Sequence, residues 1–145
     1  MKDYKKIEVS HRLSRFQVKL PHWDGEGSTR SPFASWPEPL DWYEAYNASK
    51  HNRHTAFRRA TFGHVVDTVC GVLAILSAQF ANQDFALIDN LVSSSPPDGF
   101  EYAIGNYFVV RYPDDWPEAE RYAFGGGDFR AADAAGAELF QNFPY

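Results

Sequence analysis

At 145 residues and 44% hydrophobic content, the chain has the size and apolar share of one domain with an ordinary core. Its net charge of −5 argues against a dedicated duplex-DNA binder, and its single cysteine, Cys70, rules out an intrachain disulfide. The N-terminal residues lack the apolar stretch of a signal peptide, and the longest apolar run, Val69 to Leu76, is far short of the ~20 residues that span a bilayer. A soluble, cytoplasmic protein without a membrane partner is the expectation.

Charge is unevenly spread. Residues 1–81 hold 11 of the 14 basic side chains and 8 of the 19 acidic ones, a net of +3, which leaves −8 for residues 82–145. Lys50, Arg53, Arg58 and Arg59 follow one another with no acid between them. Such a run forms either a solvated basic face or a site for an anion or an RNA backbone.

In chain order, residues 4–20 read as strand. Phe16, Val18 and Leu20 alternate with polar neighbours, and Ile7 and Val9 alternate out of phase with them. The slip predicts a bulge or turn near Ser14. Residues 21–39 form a loop, since four prolines and two glycines exclude a regular element. A first helix is predicted from Leu40 to Arg59. Pro39 and Asp41 suit its start.

Thr61 caps a second helix to about Phe80, with Phe62, Val65, Val66, Val69, Val72, Leu73, Leu76 and Phe80 as one apolar stripe. Cys70 lies in this run and reads as a buried, reduced thiol. The short joint predicts an antiparallel hairpin, with one helix kinked at Gly63 as the alternative. The helical signal continues through Phe85, Leu87, Ile88 and Leu91. After the loop Ser93–Gly99, two extended runs around Gly105-Asn106 predict a β-hairpin over 100–112. A short helix at Asp114–Glu120 and a last helix from Phe129 to about Phe140 lie in an acidic region, 113–145.

The fold expected is therefore α+β in a single domain, residues 1–145. A central antiparallel helix hairpin within the helical core 40–92 packs with a small antiparallel sheet and a C-terminal helix. The strand at 14–20, within the N-terminal segment 1–20, and the hairpin 100–112 supply the sheet.

On a helical wheel, Tyr43, Tyr46, Asn47, Lys50, His54, Phe57 and Arg58 share an arc of roughly 120°. Because this arc holds the aromatic anchors, it is expected to face the core. His64, Asp67, Thr68 and Gly71 line one side of the second helix. In an antiparallel hairpin, His54 and Arg58 approach His64 and Asp67, and Asp67 should pair with Arg58, His54 or His64. One reading of this constellation is a buried polar network. The other is a site where His64 or His54 moves protons and Arg58 or Lys50 holds a phosphate. His51 and His54, three apart, have the spacing for a metal ion, but the positive surroundings repel a cation. No metal or cofactor is therefore expected.

The stretch Trp42-Tyr-Glu-Ala-Tyr-Asn-Ala-Ser-Lys-His-Asn-Arg53 is similar to a pattern in uncharacterised bacterial proteins. Together with the following helix it resembles helical domains of the HEPN superfamily. Many of these are metal-independent ribonucleases of RNA processing, toxin–antitoxin and phage-defence systems. Their signature is an arginine, four to six residues, then a histidine at a helix start; Arg58 and Arg59 both meet His64 at such a spacing. The resemblance implies an endoribonuclease or RNA-binding relative with Arg58, His64, His54 and Asp67 as catalytic residues. Asn47, Lys50, His51, Arg53 and Arg59 would bind the RNA.

A contrasting expectation is a non-catalytic interaction module. It rests on loop aromatics, Trp23, Phe33, Trp36, Trp116 and Phe124, meeting a partner protein or a second copy in a homodimer.

Overall fold

A computed structural model describes residues 2–80, 85, 96, 98–117, 130–131 and 134–136. Its helices are α1 (Lys2–His11), α2 (Asp41–His51), α3 (Arg53–Ala56) and α4 (Phe62–Gln79), with 3-10 turns at Leu13–Arg15 and Phe57–Arg59. The strands β1 (Gln17–Lys19), β2 (Thr29–Arg30), β3 (Glu101–Ile104) and β4 (Phe108–Arg111) form one antiparallel sheet in the order β2-β1-β4-β3. The α+β class, the helix hairpin and the small sheet are as the sequence predicts. Of the helix predicted at 114–120, residues 114–117 are described and form a turn without helix; of that predicted at 129–140, residues 130–131 and 134–135 are helical. Phe85, in the predicted extension beyond Phe80, is not helical and bonds the Ala103 carbonyl through its N–H at 2.6 Å. The remainder of these segments and most of Ser93–Gly99 lie outside the described residues.

The N-terminal segment differs from its prediction. Residues 2–11 are helix, not strand. Helical spacing puts Ile7 and His11 against the core and leaves Val9 73% exposed, which a strand's alternation of Ile7 with Val9 would not do. The break predicted near Ser14 is real, but it separates a helix from a strand. Arg12 turns left-handed with φ 51°, and the Glu8 carboxylate accepts hydrogen bonds from the Ser14 amide and hydroxyl.

Beyond the break, Phe16 and Val18 are fully buried, and Val18 pairs across to Val110 and Arg30. Phe16 packs edge-on to Tyr112 and Trp116, at 5.3 and 5.9 Å. The predicted β-hairpin turns at Gly105, where φ is 51°, and its inner strand β4 lies beside β1. The loop 21–39 contains the two-residue strand β2, hidden among turn-forming residues. Once Leu20 N–H bonds Ser28 C=O at 2.8 Å, the chain folds back on β1.

The first predicted helix is broken at Asn52, which leaves the helical region at φ −136°, ψ 68° and divides α2 from α3. Asparagine disfavours helix interiors because its side chain competes for backbone hydrogen bonds. The helix pair is antiparallel. Trp42, at the start of α2, lies against Gly71, and Ser49, near its end, lies beside Thr61 and Val65.

The inward face of this pair is the reverse of the predicted one. Ala45 and Ala56 are buried and Ser49 half-buried, whereas Tyr46, Lys50, His54, Phe57 and Arg58 are exposed. The reason is the narrow gap between the helices. A Cβ added at Gly71 would stand 3.3 Å from Trp42 Cζ2, so only small residues fit the seam, and the large rings move to its edges. Trp42 cannot yield easily, because its indole N–H bonds Pro32 C=O at 2.8 Å and its ring packs between Phe33 and Tyr43.

α4 is the central helix. By length and composition alone, with a mean hydropathy of 1.4 over 18 residues, it could cross a bilayer. Here Val66, Cys70, Leu73, Ala74, Ser77 and Ala78 are instead buried in the core with Phe16, Val18 and Val110. The Cys70 thiol is buried as predicted, and its burial, with the Asp67 carboxylate nearby, pushes its pKa up to about 12.

Gly71 and His11 each generate a test. A helical glycine replaced by alanine ordinarily gains ~1 kcal/mol, whereas overpacking costs ~1–3 kcal/mol. With Trp42 fixed, Gly71→Ala should lose about 1 kcal/mol in urea melts, while Gly63→Ala, whose new Cβ meets only Thr61 Oγ1 at 3.6 Å, should lose nothing.

Burial lowers the pKa of His11, against weaker raising by hydrogen bonds to Gln79 and Ile7. A depressed folded value means that the unfolded chain takes the proton first. The His11 contribution is therefore intact above pH 6.5 and lost as pH falls below it. Thermal melts between pH 7.5 and 5 should show the parent losing more Tm than His11→Asn does.

Candidate functional site

The turn joining the helix pair holds most of the predicted site. Lys50, His51, Arg53, His54, Arg58 and Arg59 are all exposed. Among the described residues, no carboxylate lies within ion-pair distance of any of them. Lys50 Nζ sits 6.0 Å from the Tyr46 ring centroid, a long cation–π contact. Three rings stand open around the same turn: Tyr46 at 53%, Phe57 at 66% and Phe62 at 68% exposure. Phe62 stacks on Trp23, with centroids 6.1 Å apart and planes 11° from parallel. Asn47 is half-buried on the flank of α2.

His64 has a structural duty. Its backbone N–H bonds the Thr61 hydroxyl at 3.3 Å, which makes Thr61 the cap of α4, as predicted. Its Nδ1 lies 2.8 Å from the Arg59 carbonyl oxygen and 3.5 Å from the Thr61 amide nitrogen. One ring nitrogen cannot donate to the first and accept from the second. The shorter contact decides, and since a carbonyl oxygen only accepts, Nδ1 carries the proton. In the neutral ring, Nε2 is then the proton acceptor. A cleft of about 260 Å³ between α2 and α4 reaches this residue and is almost entirely apolar, lined by Trp42, Ala45, Tyr46, Val65 and Val69.

Asp67 does not pair with Arg58, His54 or His64. Its partner is Arg30, at 3.4 Å, and both side chains are about one-quarter exposed. Sequence reasoning missed Arg30 because no local pattern joins β2 to α4. Only the pairing of β2 with β1 brings it beneath the helix. No hydrogen bond or ion pair links Arg58, His54, His64 and Asp67 to one another. His51 and His54 are exposed, and among the described residues no three His, Cys, Asp or Glu side chains gather as a metal site requires.

The loop aromatics are not an exposed cluster. Phe33 and Trp116 are buried, Trp23 and Trp36 half-buried; Phe124 lies outside the described residues. The open apolar side chains are instead on α4. The eight residues predicted as one stripe divide, with Val66 and Leu73 buried, Leu76 half-buried, and Phe62, Val65, Val69, Val72 and Phe80 open. The signal was present, since eight large residues over so many angles are too many for a single face.

No protein-family model, no curated protein and no solved structure matches the chain.

The Arg30–Asp67 pair is neither open nor fully dry, so its loss should fall between the ~0–1 kcal/mol of exposed pairs and the ~3–5 kcal/mol of buried ones. Asp67→Ala should lower stability by about 1–2 kcal/mol, and the same change in an Arg30→Met background should cost less. An Asp67→Ala loss unaffected by Arg30→Met would show the pair to be energetically silent.

Proposed function

We propose that the chain is an RNA-binding protein, a relative of HEPN-like domains, acting in the cytoplasm through the basic turn Lys50–Arg59. The observation behind this reading is the turn itself. Lys50, His51, Arg53, His54, Arg58 and Arg59 stand in solvent without acidic partners among the described residues, beside the exposed rings of Tyr46, Phe57 and Phe62. Single-stranded nucleic acids are held by this combination, with cations on phosphates and rings stacked on bases. Arg58, Arg59, Arg53 and Lys50 hold phosphates, while Tyr46 and Phe57 offer faces to bases.

A second reading, a metal-independent endoribonuclease, draws on one further observation. The Arg59 carbonyl fixes the His64 tautomer with Nε2 free to take a proton, and an open cleft reaches that residue. In that case His64 takes the proton of the ribose 2′-hydroxyl, whose oxygen bonds the phosphorus as the P–O5′ bond breaks; the 5′-oxygen leaves with a proton from water, and Arg58 neutralises the phosphate.

Anisotropy of labelled single-stranded RNA across a salt series tests the first reading. Lys50→Ala and Arg58→Ala should each weaken binding for all sequences and reduce the salt slope by about one. Tyr46→Ala should cost about 1–3 kcal/mol of binding. Absence of binding at low salt, or binding indifferent to Arg58→Glu, would overturn it. If the chain cleaves RNA, His64→Ala should abolish cleavage while leaving affinity unchanged.

A further inference from the structure

α4 has three faces, and two are filled. Val66, Cys70, Leu73 and Ala74 meet the core around the sheet, and Thr68, Gly71 and Ile75 meet α2 and the loop before it. The third carries a regular row, Phe62, Val65, Val69, Val72 and then half-buried Leu76. The steps along it are three, four, three and four residues. This is the spacing of a helix–helix seam, the pattern by which two helices interlock side chains along their length. Exposure along it is 68%, 56%, 37% and 51%, and Phe80 at the end of α4 is 43% exposed.

We infer that this outer face of α4 is a self-association surface, on which a second copy of the chain lays its own α4 antiparallel about a two-fold axis near Val69. The inference is independent of RNA binding. Three observations carry it. The first is charge. Asp67 is the only acid between Phe62 and Gln79, no lysine or arginine lies there, and Asp67 is turned toward Arg30. The seam therefore offers nothing to a charged partner and nothing that repels its own copy.

The second is direction. The basic turn lies at the N-terminal end of α4, so a parallel pair would bring two basic turns together. An antiparallel pair separates them and opposes the helix dipoles. The third is area. These open side chains leave on the order of 500 Å² of apolar surface, at the upper end of what monomers tolerate. That is short of the ~800 Å² per partner of a standard interface and fits a weak, reversible dimer.

Sedimentation velocity of the full chain from low to hundreds of micromolar should show a reversible dimer. Val69→Glu and Val69→Lys should each raise the dimer Kd by more than about a hundredfold, since each buries an unpaired charge. Their circular dichroism and Tm should stay at parent values, because the position is partly exposed. Mixing the two variants should restore the dimer, as opposite charges meet near the axis. A strict monomer throughout the range would overturn the inference. So would a dimer insensitive to Val69→Glu, or a mixture that stays monomeric. A monomer that instead floats with anionic lipid vesicles, and loses this in Val69→Glu, would also overturn it in favour of a membrane surface.

Discussion

The close approach of α2 to α4 at Gly71 is the constraint on which the rest of the arrangement depends. A hydrogen at that position lets the Trp42 ring lie on the helix without displacement. Once there, Trp42 bonds the Pro32 carbonyl and contacts Phe33, so the helix seam also anchors the proline-rich loop. The loop carries Arg30, which β2 pairing holds beneath α4 for its contact with Asp67. Filling the seam with Ala45 and Ser49 turns the longer side chains of α2 outward. The exposure of Tyr46 and Lys50 is thus a consequence of packing, set by the one glycine in the middle of α4.

This explains which parts of the fold were legible. Thr61 as a cap, Gly105-Asn106 as a hairpin turn and the apolar run around Cys70 are local signals, and each corresponds to an element where it was expected. The errors come from non-local effects. Residues 4–11 alternate weakly enough to pass for strand, yet Ile7 and His11 sit four apart and find the core as helix neighbours. β2 has two residues and no pattern of its own; β1 induces it. On α2 and the turns after it, aromatic residues do not mark the inside: Tyr46 and Phe57 are exposed while Ala45 and Ala56 are buried. Where two helices nearly touch, small residues occupy the inside, and rings cover the edges.

The candidate site shows the same division. Its composition was readable, since the basic run without acids is a property of the sequence, and the side chains stand in solvent as such a run ordinarily does. Its expected connectivity was not. The polar residues predicted to form one network each have a separate duty. His64 caps and fixes the turn through Thr61 and Arg59, Thr68 bonds back to the His64 carbonyl at 2.7 Å, and Asp67 serves Arg30. Spacing can place such residues on one side of a helix, but it cannot decide which distant strand supplies a partner.

The polar and apolar surfaces of the helix pair are also consequences of one another. Arg53, Arg58 and Arg59 cannot be buried without partners, and among the described residues no carboxylate pairs with them; Asp67 serves Arg30. The basic turn therefore has to protrude, and a protruding turn cannot fold back over α4. A helix apolar on all sides is stable in water only when each side is covered. Among the described residues the sheet covers one side and α2 another, and Phe62, Val65, Val69 and Val72 on the remaining side are open. Its charge-free 3-4 spacing gives it the form of a surface that matches itself.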